Sequence, residues 1–586
     1  MVKIALACIL SFLQLVFGGG DNAPEDKGNE LNFGVFADIH SSGAYFDRVM
    51  NNIFALTSDG EELDGVIMVG DILYTSETAT PKYEFITSNK HFKELSGEGK
   101  IAAAMGNHEF PLNTKAGEKA VYSQQLFEEN MGVPVLNDTV WGGYHFITVS
   151  ANTYSGYYTE QEAWAMEKIS AALAESENKP VFLFIHHPID NTLWGSRSAN
   201  RNSTEFENFL KSQPRLVVIS GHNHYTNSDP HSIYQVPGGA TFLYTSVVYT
   251  SVGQSMSYAD VEHEKFSSQA LMLSVNDKTN VVTVKRFYVD AKEPTYLEGG
   301  DWTFDIPRMI EESRKDVVST DVYKYTEERQ KTSVAPYFSG DAKISVDAIT
   351  DTFVNFSFPE AKSGGADENS FVAYYKLEVL NAETGEKLKD VKIINDFFVK
   401  EKRDTYTYGF YEIPHAEKWR IKVTPVTTWY VEGEPLILDV APAAPLFSPA
   451  TLDAENTRTV SASEIKAIGS QGHFTQTEEY INLAAAGNCT LRYTFKAEKT
   501  GTYRLIVKAA AQSSSELKMT FGVGNDVALS KDIVLGTGSI NTAVNFVCAD
   551  IEIEEPGEYT IKLKKTKTTV PIRVHSITFG LIEEVK

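Results

Sequence analysis

Cysteine is nearly absent from this chain: three in 586 residues, at Cys8, Cys489 and Cys548. An all-thiolate zinc or iron–sulfur site needs about four such ligands, so none can be assembled, and a disulfide-rich scaffold is excluded. Positive charge is also short. Lys and Arg total 53 against 78 Asp and Glu, a formal net charge of −25. Clustered basic side chains are what hold a nucleic acid polymer, and no Lys/Arg-rich stripe follows the Asp- and His-containing motifs of the first half. Tryptophan stops at Trp429. There is no repeat at a solenoid period. The longest apolar run, Ile4 to Phe17, is too short for a confident membrane span. With Lys3 before it and Gly18 to Gly20 after it, it reads as a signal peptide over residues 1–20. The expected location is therefore extracytoplasmic: secreted, periplasmic or at the cell surface. Cys8 lies too early in the apolar run for a lipoprotein signal. Cys489 and Cys548 would then meet an oxidising compartment, where they could pair or stay as separate buried thiols. Asn137, Asn202, Asn355 and Asn488 stand in glycosylation sequons.

At this length several domains are expected. From Leu31 to about residue 330, short apolar runs alternate with helical stretches such as Ala163 to Glu175. Phe33–Ala37, Gly65–Val69, Val181–Ile185 and Arg215–Ile219 read as buried strands, and Asn280–Val289 as a later one. Continuous apolar strands separated by helices predict an α/β layered domain. The charged stretch Arg308 to Lys331 reads as a helix or a linker. Over 334–440 the period becomes two: Val354, Phe356, Phe358; Tyr375, Leu377, Val379; Trp419, Ile421, Val423. That pattern predicts an all-β sandwich. Its segment Lys418 to Pro425 is similar to the penultimate strand of fibronectin type III domains. Pro442, Pro445 and Pro449 mark a stiff linker. Over 450–586 a second all-β segment follows, with Gly501-Thr502-Tyr503 and Gly557-Glu558-Tyr559 each starting a strand. It resembles the jelly-roll sandwiches of carbohydrate-binding modules, but lacks the Trp such modules commonly set against sugars. A glycan or cell-surface ligand is the partner this resemblance implies.

Five motifs punctuate the first domain: Asp38-Ile39-His40, Gly70-Asp71, Gly106-Asn107-His108-Glu109, His186-His187-Pro188 and Gly221-His222-Asn223-His224. Each falls just beyond the C-terminal end of a predicted strand or in the loop after it, where open α/β sheets place their ligands. Carboxylate, amide and imidazole donors without thiolate suit Mn, Fe, Zn, Co or Ni. Five motifs in this order resemble the calcineurin-like metallophosphoesterases, two-metal hydrolases of phosphate esters.

The resemblance implies a ligand set. One cation would take Asp38, His40 and His224. The other would take Asn107, His186 and His222. Asp71 would bridge the two, and attack would come from a metal-bridging hydroxide. His108 would be catalytic, protonating the leaving oxygen or stabilising phosphoryl charge. Asn107 and His187 would also meet the substrate. Tyr74 resembles the iron-binding Tyr of purple acid phosphatases. Those enzymes lack a His in the first motif, so with His40 present Tyr74 reads as packing. Trp194, Arg197 and Arg201 lie in a polar loop that could cap the site or simply be solvated.

Taken together, the sequence predicts an exported dinuclear metal-dependent phosphoesterase. Its substrates would be small phosphodiesters or phosphomonoesters, with diesters slightly favoured. The alternative is a surface glycan-binding or adhesion protein whose first domain is inert.

Overall fold

The computed structural model describes residues 28–57, 62–74, 82–111, 115, 117–154, 159–196, 202–249, 268–291, 293–442, 451–469, 472–484, 489–511, 515–524, 526–535, 537, 539–567 and 571–582. The signal peptide expected at 1–20, the loop arginines Arg197 and Arg201, and most of the proline linker lie outside the described residues.

The first domain holds two sheets. One contains β1 (Glu30–Phe36), β2 (Leu63–Val69) and β3 (Ile101–Ala104). The other contains β4 (Leu136–Trp141), β5 (Tyr144–Val149), β6 (Val181–Ile185), β7 (Leu216–Ser220), β8 (Ile233–Gln235) and β9 (Thr241–Tyr244). The chain then returns to the first sheet as β10 (Gln269–Asn276), β11 (Val281–Tyr288), β12 (Thr295–Tyr296) and β13 (Trp302–Asp305). The strand orders are β12-β11-β10-β1-β2-β3, with β13 beside β11, and β4-β5-β6-β7-β9-β8. β1, β2 and β3 are parallel, as are β5, β6, β7 and β9.

These runs are apolar throughout because both faces of each sheet are covered. Alternate side chains point to opposite faces. Phe33, Val35, Ile67 and Val69 therefore meet Phe146, Phe182, Phe184, Val217 and Ile219 between the sheets. Phe36, Val66 and Met68 turn outward onto Phe46, Val49 and Ile53 of the helix Gly43–Leu56. Leu183, Ile185 and Val218 turn outward onto Ala165, Ile169 and Ala172 of the helix Thr159–Glu175. The result is a β-sandwich flanked by helices, the α/β architecture expected from the alternation.

The stretch Arg308 to Lys331 contains one short helix, Ile306–Glu312, and a 3₁₀ turn at Glu327–Thr332. The residues between are neither helix nor free linker. Tyr323 and Tyr325 are buried in the inter-sheet core, and the Tyr325 backbone exchanges hydrogen bonds with Gln235. A few buried anchors within a charged segment leave no periodic trace.

Two all-β sandwiches follow. In the first, a three-stranded sheet faces a four-stranded one. The expected alternation is the core: Val354, Phe356, Phe358, Tyr375, Leu377, Trp419, Ile421 and Val423 are all buried together. In the second, six strands face five. Cys489 sits in its five-stranded sheet and Cys548 in its six-stranded sheet. Both are buried free thiols, so the disulfide does not form. The apolar core between the sheets holds this domain instead, and burial pushes the Cys548 thiol up to about 12.

A buried ion cluster pins the first sandwich to the α/β domain. Glu368 accepts from the Arg286 guanidinium and from Trp302 Nε1 at 3.0 Å, and it faces Arg329 Nη1 at 3.5 Å. Arg329 also donates to the Pro230 and Ile233 carbonyls. Removing one partner of a buried ion cluster strands the others, at a cost of about 3–5 kcal/mol. Glu368→Ala is therefore expected to lower the unfolding free energy of the unit containing β11 by that amount, read as a lower urea midpoint. An unchanged midpoint would show that the cluster does not couple the two domains.

Candidate metal centre

The C-terminal ends of β1, β2, β6 and β7 meet at one rim, and backbone bonds stitch the loops that leave them. Asp38 N–H donates to Gly70 O and Gly221 N–H to His186 O, each at 3.0 Å. The loops leave no room for side chains at their crossings. A Cβ on Gly106 would stand 2.2 Å from Asp71 Oδ1, and one on Gly221 would stand 2.6 Å from Asp38 Oδ2. Glycine is required at both by close approach rather than by conformation.

The site residues themselves carry the unusual backbone. Asp38 (φ 58°), His40 (49°), Asp71 (49°), His222 (72°) and His224 (50°) all occupy the left-handed region. That region costs a non-glycine residue about 1–3 kcal/mol and persists where the surroundings impose it. Five such residues on one rim mark a functional arrangement.

The donors converge as two sets. Asp38, His40 and His224 form one, and Asp71, His186 and His222 form the other, with donor atoms in each set within 4.8 Å of one another. Asp71 also joins His40 and His108 in a third such group, so it lies between the two sets. In the first set His40 Nε2 and His224 Nε2 are 3.0 Å apart, and Asp38 Oδ1 is 3.2 Å from the latter and 3.7 Å from the former. Burial lowers the His40 pKa to about 4. The ring is therefore neutral near pH 7, with one nitrogen lone pair available. In the second set His186 Nδ1 donates to Val69 O at 2.8 Å, which turns Nε2 toward Asp71 Oδ2 at 3.0 Å. Such an outer bond fixes the ring and its tautomer. Burial alone would lower the His186 pKa, but the Asp71 carboxylate overrides it and raises the group above its usual range. Asp71 in turn is held well below the usual carboxylate range, against its own burial, by His186.

This donor set fits two divalent cations. Asn107 Oδ1 is buried without a hydrogen-bond partner among the described residues, and the close contacts of Asp38 Oδ1 with His224 and of His186 Nε2 with Asp71 lack hydrogen-bond geometry. Buried polar atoms are ordinarily paired. Imidazole nitrogens and carboxylate oxygens facing one another have no proton to share between them in sufficient number, and a cation resolves the conflict.

The remaining expected residues lie at the edge of this group. His108 donates its backbone N–H to Asp71 Oδ1 at 2.8 Å, and its ring is 5.2 Å from that of His40. His187 is buried with its ring 4.3 Å from that of His222. Tyr74 is largely exposed and stacks on His108 at 4.8 Å. Trp194 is attached to the site from outside. Asn223 Nδ2 donates to Tyr244 OH at 2.6 Å, and Tyr244 OH donates to Trp194 O at 3.0 Å. His91 stacks on Phe54, and His145 sits between Asp138 and Glu175, both away from the rim.

Glu109 closes the Asn107 motif but receives no role from its position in the sequence. It is fully buried, and its carboxylate accepts from the backbone N–H groups of Asp71, Leu73 and Gly106. It thereby ties the Asp71 loop to the Asn107 loop. Burial, with the Asp71 charge second, pushes its pKa up to about 7. Glu109→Ala leaves those N–H groups unpaired in a dry interior, at about 1–3 kcal/mol for each group so exposed. The expected result is a stability loss of roughly 3 kcal/mol and metal retention weakened about 10–100-fold. A variant that keeps its metal and its midpoint would remove Glu109 from the site's support.

The calcineurin-like phosphoesterase family model matches residues 31–226. A solved structure similar to the chain is the purple acid phosphatase PPD1 from yellow lupin (Lupinus luteus) seeds. It is 12% identical, with 48% of this chain and 55% of that chain covered and a TM-score of 0.32. The chain thus spans about half the length of the lupin protein. PhoD is 11% identical, with 48% and 71% covered and a TM-score of 0.31. A family 35 carbohydrate-binding module from Clostridium thermocellum is 18% identical, with 21% of this chain and 98% of that chain covered and a TM-score of 0.17. No curated protein matches the chain. The family match falls on the segment that carries all five motifs. Residues 31–226 are a calcineurin-like phosphoesterase domain.

Proposed function

We propose that the protein is an exported phosphoesterase, dependent on two divalent metals, that hydrolyses small phosphodiesters or phosphomonoesters. The observation that carries this reading is the pair of donor sets with Asp71 between them. Two cations, when bound, supply Lewis acidity for an in-line displacement at phosphorus. Asp38, His40 and His224 would hold one and Asn107, His186 and His222 the other, with Asp71 shared. Asn107 contributes a donor without charge, which leaves the site attractive to a phosphate.

The chain's own groups then have separate tasks. The His186 bond to Val69 O keeps one imidazole nitrogen aimed at Asp71. The His108 N–H fixes Asp71 Oδ1, while its imidazole would deliver a proton to the leaving oxygen or bind a phosphoryl oxygen. His187, beside His222, borders the space a substrate would occupy. Export rests on Lys3 and the apolar run Ile4 to Phe17. Among the described residues no helix is long and apolar enough to cross a membrane.

Diesters are the favoured substrates, because His40 occupies the first motif. Polymeric nucleic acid is disfavoured, because a net charge of −25 repels a long polyanion beyond the immediate site. Turnover with Mn²⁺ of bis(p-nitrophenyl) phosphate, p-nitrophenyl phosphate and plasmid DNA tests the reading. Hydrolysis of the small esters in that order is expected. Fast plasmid degradation with slow hydrolysis of both small esters would overturn it.

A further inference from the structure

The charge of this chain is unevenly divided. Residues 451–586 carry 15 Lys and Arg against 16 Asp and Glu, so nearly all of the net charge of −25 lies before them. The nearly neutral last sandwich gathers cations on one face. Its five-stranded sheet runs in the order Lys466–Gly469, Cys489–Ala497, Gly557–Lys567, Ser515–Gly522, Leu529–Leu535. Leu491, Leu563 and Met519 point into the core, so their neighbours along each strand point outward. Register lines those neighbours up in two rows. In one, Lys466, Arg492 and Lys562 stand side by side on three adjacent strands. In the next, Lys564 and Lys518 stand side by side, flanked by Thr490 and Asp532.

Three like-charged pairs therefore face one another directly: Lys466 with Arg492, Arg492 with Lys562, and Lys518 with Lys564. Such pairs destabilise a sheet. Other cations of this domain have carboxylate partners, such as Lys496 with Glu498 and Arg504 with Asp550. None of the five cations of the two rows has an ion pair among the described residues. The face is also open. The domain meets the first sandwich through its other sheet, where the ring of Phe546 is 6.1 Å from that of Tyr411. Lys466, Lys518 and Lys564 are exposed, and Arg492 and Lys562 half-buried. Apolar side chains accompany them. Ile468, opposite Thr490 in the second row, is 47% exposed, and Val523 and Val527, on the hairpin between the last two strands of the sheet, are 57% and 56% exposed.

We infer that this face docks the protein on an anionic lipid surface. The cations form a two-dimensional array, so a plane of anions meets all five at once, whereas a linear polyanion lies along one row. The two rows hold no aromatic ring, on which a single-stranded nucleic acid would stack. Exposed aliphatic side chains beside basic ones are the combination that holds a protein at a lipid interface. Charges more than about 8 Å from that interface are largely screened at physiological salt. The acidic domains, attached through the opposite sheet, therefore oppose the contact weakly.

The test is co-sedimentation of the full-length protein with two kinds of vesicle at about 0.15 M salt. One is phosphatidylcholine alone, the other equal parts phosphatidylcholine and phosphatidylglycerol. Binding to the mixed vesicles and not to the neutral ones is expected. Each cation near an anionic surface is worth about fivefold in affinity. Lys562→Gln should therefore weaken binding about fivefold, and Lys518→Gln/Lys562→Gln/Lys564→Gln together about a hundredfold. These changes relieve like-charge opposition rather than break a contact, so the fold is not threatened. Equal binding to both vesicles, no binding to either, or a triple variant that binds as wild type overturns the inference. So does an equal loss in Lys496→Gln, whose cation lies outside the two rows and is paired with Glu498. Capture of heparin or duplex DNA without vesicle binding assigns the face to a linear polyanion and overturns it as well. Turnover enters none of these readings, so they stand or fall apart from the phosphoesterase proposal.

Discussion

Asp71→Asn is expected to abolish turnover and to lower the metal bound per chain. Among the described residues, Asp71 is the one carboxylate that belongs to a donor group on each side of the site, with His186 and His222 on one side and His40 and His108 on the other. It is 1% exposed, and its oxygens are already committed: Oδ1 accepts the His108 N–H at 2.8 Å and Oδ2 faces His186 Nε2 at 3.0 Å. Asparagine keeps the shape but removes the charge, and it turns an NH₂ group toward one of these partners. If the NH₂ faces His108, donor meets donor. If it faces His186, it competes for the nitrogen that a cation needs. Removing a single aligned donor elsewhere costs about 10²–10³ in rate, and a group serving two cations should exceed that. Metal content measured on the purified protein, alongside turnover, checks the expectation. Two metals per chain with near-normal activity would remove Asp71 from its bridging place.

His108→Ala is expected to lower turnover by roughly 10²–10⁴-fold with metal content unchanged. The backbone of residue 108, which holds Asp71 Oδ1, survives the substitution. What disappears is the imidazole, poised between Tyr74 at 4.8 Å and His40 at 5.2 Å. If that ring protonates the leaving oxygen, the loss should shrink for p-nitrophenyl esters, whose leaving group needs no proton. A loss that is equal for all leaving groups points to phosphoryl binding instead. Loss of metal would make His108 a ligand, an outcome for which its group with His40 and Asp71 supplies the geometry.

The sequence by itself determined the class of fold and an expected ligand set. Asp38, His40, Asp71, Asn107, His186, His222 and His224 are legible because the five motifs resemble those of the calcineurin-like metallophosphoesterases, and all but Asn107 also follow an apolar strand read from the sequence. The sandwich over Val354 to Val423 is legible because a sheet with one covered face imposes period two. The tertiary structure alone decided the rest. Strands Leu452–Ser461 and Leu529–Leu535 were not read, because they lie at or near sheet edges and need few apolar residues. Glu109 reads as one more polar residue until burial brings three backbone N–H groups onto its carboxylate. Whether Cys489 and Cys548 pair depends on where two sheets place them across a core, which neither local sequence reports. The segment after Glu312 looks like a linker because two buried tyrosines are too few to make a pattern. Trp194 meets Tyr430 across more than two hundred residues of chain. Such long-range placements follow from register and packing, which propensity and period, being local, do not encode.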